Sequence, residues 1–281
     1  MRTYLDCVPC LMSQALRAAR TVLDDEEAVG KAFREIFDIF KTIDIEKPPP
    51  VTGGMIHKEI RKILKVGDPF GEIKKMSIRQ ALDLYPDLKK IVKRSESSLK
   101  AAVRLAIAGN VIDLGVNKSF DINLEIGRVM HQQFAIMDWH EFMNELLKAE
   151  SILFLGDNAG ETVFDRILIE ELKRPVVYAV RESPVINDAV REDAILSGID
   201  KVAEIISTGS DLPGVVPEQC SNAFLGRFKS ADMVISKGQG NYEGLSETER
   251  PVFFLLKAKC HVIAKDLGVA ENSIVLKALN V

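Results

Sequence analysis

No apolar run in this 281-residue sequence approaches the roughly 20 residues that a membrane-spanning helix requires, so no membrane partner is expected. The opening residues, Met1-Arg-Thr-Tyr-Leu-Asp-Cys7, lack the apolar core and small-residue cleavage site of a secretory signal. Cysteine is scarce. Four in a chain this long make no disulfide scaffold, and the expected compartment is a reducing cytoplasm. Basic residues are not in excess: 37 Lys and Arg against 41 Asp and Glu leave a net charge of −4, with no electrostatic footprint for nucleic acid. Internal repeats and low-complexity tracts are also missing, and nothing in the sequence sets an oligomeric state.

Several catalytic signatures are missing too. No Gly-Lys-Ser/Thr follows a glycine at P-loop spacing, and there is neither a Gly-x-Ser-x-Gly elbow nor a His-Glu-x-x-His pair. Gly238 and Gly240 are followed by Gly244, one residue late for a dinucleotide fingerprint. Only four histidines are present, and His140 and His261 sit beside core-like apolar residues, which reads as a structural role.

What is there divides by period. Hydrophobic residues at 47% and charged residues at 28% are ordinary for a globular chain able to bury a large core. The first half repeats apolar residues at helical spacing: Met12, Ala15, Leu16, Ala19 and Leu23, then Ala28, Ala32, Phe33, Ile36, Phe37 and Phe40. Pro48-Pro49-Pro50 ends the second helix, a short helix follows around Ile56 to Leu64, and Tyr85-Pro86 marks a break. A long helix is then expected from about Leu88 to Ala108, with others around Ile122 to Phe134 and His140 to Leu147, and no strand before residue 150. The second half gives short β-rich runs at Ile152–Leu155, Val176–Val180, Ile205–Ser207, Met233–Ser236 and Val252–Leu255, with others near His261–Ala264 and Ile274–Leu276. The expectation is an α/β protein with two parts. An N-terminal all-helical subdomain, residues 1–148, packs on a C-terminal Rossmann-like, mostly parallel sheet, residues 149–281.

The chemistry concentrates at strand ends. Behind Ile152–Leu155 comes Gly156-Asp-Asn-Ala-Gly-Glu161, then a helical pattern, so Asp157 and Asn158 lie at the carboxyl end of a buried strand, where α/β sheets bind ligands. Two adjacent hard oxygen donors suit a Mg²⁺-like ion that reaches a substrate phosphate, and both residue types equally suit an Asx helix cap. Asn187 and Asp188 follow the next strand and can reach the same ion. Ser236-Lys-Gly-Gln-Gly-Asn-Tyr242 is a glycine-punctuated loop that can offer amides to a phosphate while Lys237 supplies charge, or can be a solvated turn. Cys7-Val-Pro-Cys10 is half of a zinc site at best. It reads first as a buried helix start, with a redox pair or two ligands of a second metal as the alternatives.

Gly-Asp-Asn-Ala-Gly-Glu at 156–161, Asn-Asp at 187–188 and Ser-Lys-Gly-Gln-Gly-Asn-Tyr-Glu at 236–243 resemble the damage-control phosphatase family, long called a domain of unknown function. Ala-Gly-Asn-Val-Ile-Asp-Leu-Gly at 108–115 and the cysteine pair are similar to its branch with an N-terminal Cys-x-x-Cys, so the resemblance covers essentially the whole chain. It implies a metal-dependent phosphatase of small phosphorylated metabolites, sugar phosphates among them, using Mn²⁺, Ni²⁺, Co²⁺ or Mg²⁺. It further implies Asp157, Asn158 and Asp188 as metal ligands and Lys237, Asn241 and Lys259 as phosphate and sugar contacts. Asn110 and Asp113 match family positions and read as contacts to a substrate hydroxyl or as supports behind the site, with a helix-end cap and a solvated acid as the alternative. Two departures concern sugar specificity: an Arg-Thr-x-Lys motif of the eukaryotic branch reads Leu256-Lys-Ala-Lys259 here, and its loop acid is Gln239. Two other functions compete. One is an S-adenosylmethionine-dependent carboxyl methyltransferase, since a human family member has been so described; it lacks a glycine-rich first loop here. The other is a non-enzymatic metabolite-binding protein, which has little reason to gather these polar residues at strand ends.

Overall fold

The structure, a computed structural model, describes residues 1–109, 127–128 and 130–281. Three helices open the chain: α1 Cys7–Val22, α2 Glu26–Ile39 and α3 Pro49–Leu64. Asp25 caps α2, its carboxylate accepting the Ala28 N–H at 2.9 Å, with Glu26 and Glu27 in the first turn where the helix dipole favours acids. The proline run does not end α2, which stops at Ile39 with a 3-10 turn at Phe40–Thr42; it starts the next helix instead. Pro49 begins α3, where its missing N–H costs nothing and its fixed φ suits the first helical turn. Leu11, Ala15, Ala18, Ile36, Ile56 and Ile60 meet as a small core between the three helices.

The next two helices depart from the sequence reading. α4 runs unbroken from Gly71 to Arg94 with Pro86 inside it, and the break falls instead at Ser95, where α5 Ser98–Gly109 begins. Ser95 Oγ donates to the Val92 carbonyl at 2.6 Å and so closes α4. Burial of Ile78, Ala81, Leu88 and Val92 on one face carries α4 through the proline. Residues of the expected helix at 122–126, together with Asn110 and Asp113, lie outside the described residues.

A strand does occur before residue 150. β1 Phe134–Met137 pairs with β7, so the sheet starts inside the stretch expected to be all helical. There follow α6 Trp139–Lys148, β2 Ile152–Leu155, α7 Thr162–Leu172, β3 Val176–Val180, α8 Arg191–Leu196 and β4 Glu204–Ser207. The chain closes with α9 Asn222–Ser230, β5 Met233–Lys237, α10 Gly238–Leu245, β6 Val252–Lys257, α11 His261–Leu267 and β7 Ile274–Leu279. The segment at His261–Ala264, read as β-rich, is thus a helix stopped by left-handed Gly268, and the glycine-punctuated loop after Lys237 is also a helix. A short apolar run fits either structure by periodicity alone.

Strand order is β1-β7-β6-β5-β2-β3-β4, parallel throughout except for β6 against β7. α4 and α5 cover one face, sharing a core with Phe154, Tyr178, Ile235, Phe253 and Leu276. The other face, Leu153, Leu155, Val234 and Phe254, packs on Phe224, Tyr242 and Ile263. Burial on both faces explains why β2 reads as an uninterrupted apolar run. Chain direction across the sheet reverses between β2 and β5. From β2 the chain steps to β3 and β4 on one side, then returns to β5 on the other. The crevice beyond the carboxyl ends of β2 and β5 is therefore the topological switch point of the sheet.

Candidate metal and phosphate site

The switch point opens into a cavity of about 580 Å³. Asp157, Asn158 and Asp188 line its sheet side, while Leu11 of α1, Pro50 of α3 and Lys74 of α4 close it from the helical half. Backbone bonds hold the two acidic loops together: Ala189 N–H donates to the Asp157 carbonyl and Ala159 N–H to the Asn187 carbonyl, each at 2.8 Å. Asn158 and Asp188 meet in an antiparallel bridge. The loop leading to Asp188 is strained, because β-branched Ile186 has φ +46° and lines the cavity.

The Asn158 side chain caps no helix. Its Nδ2 donates to Asp157 Oδ2 at 3.1 Å and to Glu161, which disposes of the Asx-cap reading and leaves Oδ1 as its remaining donor atom to a cation. Asp157 is pressed from the far side by Gly238, the first residue of α10 and left-handed at φ +80°. A Cβ there would lie 1.8 Å from Asp157 Oδ2, so only glycine lets β5 turn into α10 against the carboxylate.

Two buried cations support the acids from behind, and sequence reasoning identified neither role. Arg181, at the end of β3, gives Nε to Asp188 Oδ2 at 2.7 Å and Nη2 to Asn241 Oδ1 at 3.0 Å, with Asp157 Oδ1 at 4.0 Å. Lys237 lies between Glu161 Oε2 at 3.0 Å and Asp165 Oδ1 at 2.6 Å, and Tyr178 donates to the other Asp165 oxygen at 2.8 Å. Asn241 is fully committed. Its Nδ2 donates to the Gly156 and Lys237 carbonyls, and its Oδ1 accepts from Arg181 and the Val215 N–H. Neither Lys237 nor Asn241 reaches the cavity wall. The substrate contacts expected of these two are therefore replaced by a supporting position beneath the floor.

The electrostatics suit a cation. Among the described residues, Asp157, Glu161, Asp165, Asp188 and Asp193 are buried carboxylates, against the buried cations Lys74, Arg181 and Lys237. Burial, then Glu161 and Asp188, hold the Asp157 carboxyl well above the usual carboxylate range, partly opposed by Lys259 and Arg181. Burial also raises Asp188, against the pull of Arg181. Acids outnumber cations in this described cluster, which favours a divalent ion beside Asp157 and Asp188. Among the described residues no three carboxylate, imidazole or thiol groups gather to hold a metal. The donor set is two carboxylates and an amide, which leaves positions for water and substrate as Mg²⁺-class ions prefer. The residues fit such an ion.

The rim holds the remaining predicted residues. Lys259 is exposed just beyond β6 and lines the cavity, as does Lys257. Cys7 is half-buried and Cys10 exposed in the first turn of α1, so a buried helix start does not describe the pair; both line the cavity with Cys260. Burial pushes the Cys7 thiol up, helped by Glu243 and Cys260. His261 is an exposed rim residue 3.5 Å from Asp6, and His140 is exposed as well, so neither is a core histidine. The buried histidine is His57, joined to Gln14 at 3.1 Å and held neutral, its pKa pushed down to about 4 by burial and by Arg61.

The model of the damage-control phosphatase ARMT1-like domain matches residues 3–275. A damage-control phosphatase of Pyrococcus horikoshii is 36% identical, with 98% of this chain and 97% of the relative aligned, and one of Archaeoglobus fulgidus is 32% identical over 97% and 98%. The chain belongs to this family. The crystal structure of a DUF89 family protein from P. horikoshii superposes with a TM-score of 0.88 at 34% identity, covering 98% of both chains. As an ARMT1-like phosphatase the protein is a hydrolase of phosphate esters, and the methyltransferase and non-enzymatic readings do not fit its family. The family is metal-dependent, in keeping with the donor set at the switch point. No helix among the described residues is long and apolar enough to cross a membrane.

Proposed function

We propose that the cavity at the β2/β5 switch point hydrolyses phosphate esters of small metabolites such as sugar phosphates, with Asp157, Asn158 and Asp188 holding one divalent ion. The observation that carries this reading is the buried carboxylate pair Asp157 and Asp188, brought together by backbone bonds on the wall of an open cavity. When bound, the ion polarises the phosphoryl oxygens and lowers the pKa of a coordinated water. Oxygen donors of this kind accept Mn²⁺, Ni²⁺, Co²⁺ or Mg²⁺.

The chain's own residues do the rest. Lys259 neutralises charge on the phosphoryl group, as its influence on Asp157 across the cavity supports. Arg181 fixes the Asp188 carboxylate and Lys237 fixes Glu161, so the acids do not have to reorganise during the reaction. Asp157 is braced between Asn158 and Gly238 and serves to bind, which leaves water as the nucleophile. Pro50 and Lys74 from the helical half exclude bulk water on the side facing the sheet. Phosphate release from p-nitrophenyl phosphate, with and without Mn²⁺ and beside a methyl-transfer control, tests the proposal. Metal-independent release, or methyl transfer without phosphate release, would overturn it.

A further inference from the structure

Helix α10 leads from the metal end of the cavity to its outer wall, and Glu243 lies on that wall. Gly238 touches the Asp157 carboxylate, and Glu243 is five residues further on, a rise of about 7.5 Å along the helix. That is the reach of a short phosphorylated carbon chain whose phosphate sits between Asp157 and Lys259. Gln239 links the two ends. Its Oε1 accepts the Lys259 N–H at 3.2 Å and its Nε2 donates to Glu243 Oε1 at 2.9 Å. The second oxygen of Glu243 has no hydrogen-bond partner among the described residues. A half-buried carboxylate oxygen without a hydrogen-bond donor is costly, and more so in a cavity that must admit phosphate. Its neighbour on α1 is the Cys7 thiol, which cannot offset the charge.

Resting on the phosphatase reading above, we propose that Glu243 determines specificity at the end of the substrate remote from phosphate, accepting hydrogen bonds from hydroxyl or amino groups and rejecting a second anionic group. A substrate hydroxyl supplies the donor that the carboxylate lacks, whereas a second phosphate or a carboxylate meets a like charge once Glu243 is ionised. Burial pushes the Glu243 carboxyl up to about 7, against the smaller influence of Gln239 and the chain's amino terminus. The cost of holding charge at this spot is thus real, and a donor from the substrate would relieve it.

The test compares kcat/KM for ribose 5-phosphate and 3-phosphoglycerate with saturating Mn²⁺, in the wild type and in Glu243→Gln. The wild type should favour the sugar ester by at least about tenfold, and the ratio should fall by about tenfold or more in the variant, which keeps the volume and a partner for Gln239. An unchanged ratio, with both esters losing activity in parallel, would mean that Glu243 only positions Gln239, and would overturn the proposal. Competition against p-nitrophenyl phosphate turnover by the wild type needs no variant: 3-phosphoglycerate binding as tightly as ribose 5-phosphate overturns it equally. No turnover of any ester removes the phosphatase reading itself, and this proposal with it.

Discussion

Replacing Gly238 by alanine probes the site through a single added methyl group. Two effects can be separated. The backbone at φ +80° is left-handed, and holding a residue with a Cβ there costs roughly 1–2 kcal/mol. The new Cβ would also lie 1.8 Å from Asp157 Oδ2 and 2.3 Å from its Cγ, so an ordinary contact of 3.4 Å requires the carboxylate to retreat by about 1.6 Å. The Asp157 backbone cannot follow, because its carbonyl accepts the Ala189 N–H, so the side chain must rotate away from Asn158. A ligand misplaced by an ångström or more costs on the order of 100-fold in rate. Gly238→Ala should therefore lower kcat/KM on p-nitrophenyl phosphate by about 100-fold or more and raise the Mn²⁺ concentration needed for activation. The metal-free protein should lose only about 1–2 kcal/mol in urea titration, from the backbone alone. Gly226 in α9 is the control: nothing lies within 4 Å of its added Cβ, and alanine there should stabilise the fold by about 0.5–1 kcal/mol with activity intact. If Gly238→Ala turns over ester with wild-type metal dependence, Asp157 is not the metal ligand proposed above.

Asp157→Ala and Asp188→Ala should each abolish metal-dependent turnover. Both should also lose the rise in melting temperature that Mn²⁺ gives the wild type through mass action; a retained rise removes that residue from the ligand set. Lys237→Met leaves Glu161 and Asp165 buried without their cation, and should cost about 3–5 kcal/mol in urea titration, whereas a surface role predicts almost nothing. Lys259→Ala should lower kcat/KM by about 10- to 100-fold with metal affinity unchanged, and Lys257→Ala should cost less; equal losses remove Lys259 as the phosphate anchor. His57 titrates near 6.5 when unfolded and near 4 when folded, so the unfolded chain binds the extra proton between those values. Stability should therefore decline as pH falls from about 6.5 towards 4, by up to about 3 kcal/mol, and His57→Gln should flatten that part of the profile.

The sheet was legible because β2, β3, β5 and β6 are buried on both faces and read as continuous apolar runs behind turn signals. The edge strand β1 was not, because Phe134–Met137 is only partly buried and its residues fit the end of a helical pattern equally well. Pro86 misled for a related reason. A proline costs a helix one hydrogen bond and some strain, and the core under α4 outweighs both, which no local signal reveals. Asp157, Asn158 and Asp188 stood out because hard donors at the ends of neighbouring parallel strands have few other reasons to converge.

The basic residues show where local reading stops. Lys237 ends a strand and precedes two glycines, a pattern that suits a phosphate loop, and residue identity alone cannot say which way its side chain points. Strand alternation decides it. Ile235 and Lys237 project towards the face covered by α7, where Ile235 joins the core and the ammonium meets Asp165, while Ser236 projects the opposite way. Arg181 is the counterpart on β3: it directly follows an apolar strand, looks like a solvated strand end, and is almost wholly buried between Asp188 and Asn241. Lys259, beyond the end of β6, is an exposed cation on the cavity rim that acts on Asp157. In the proposed reading, buried cations hold the acids in place and a rim cation meets the substrate. That division requires Lys237→Met to lose stability first and Lys259→Ala to lose catalysis first. An inversion of the two would mean that the burial pattern had been assigned the wrong chemistry.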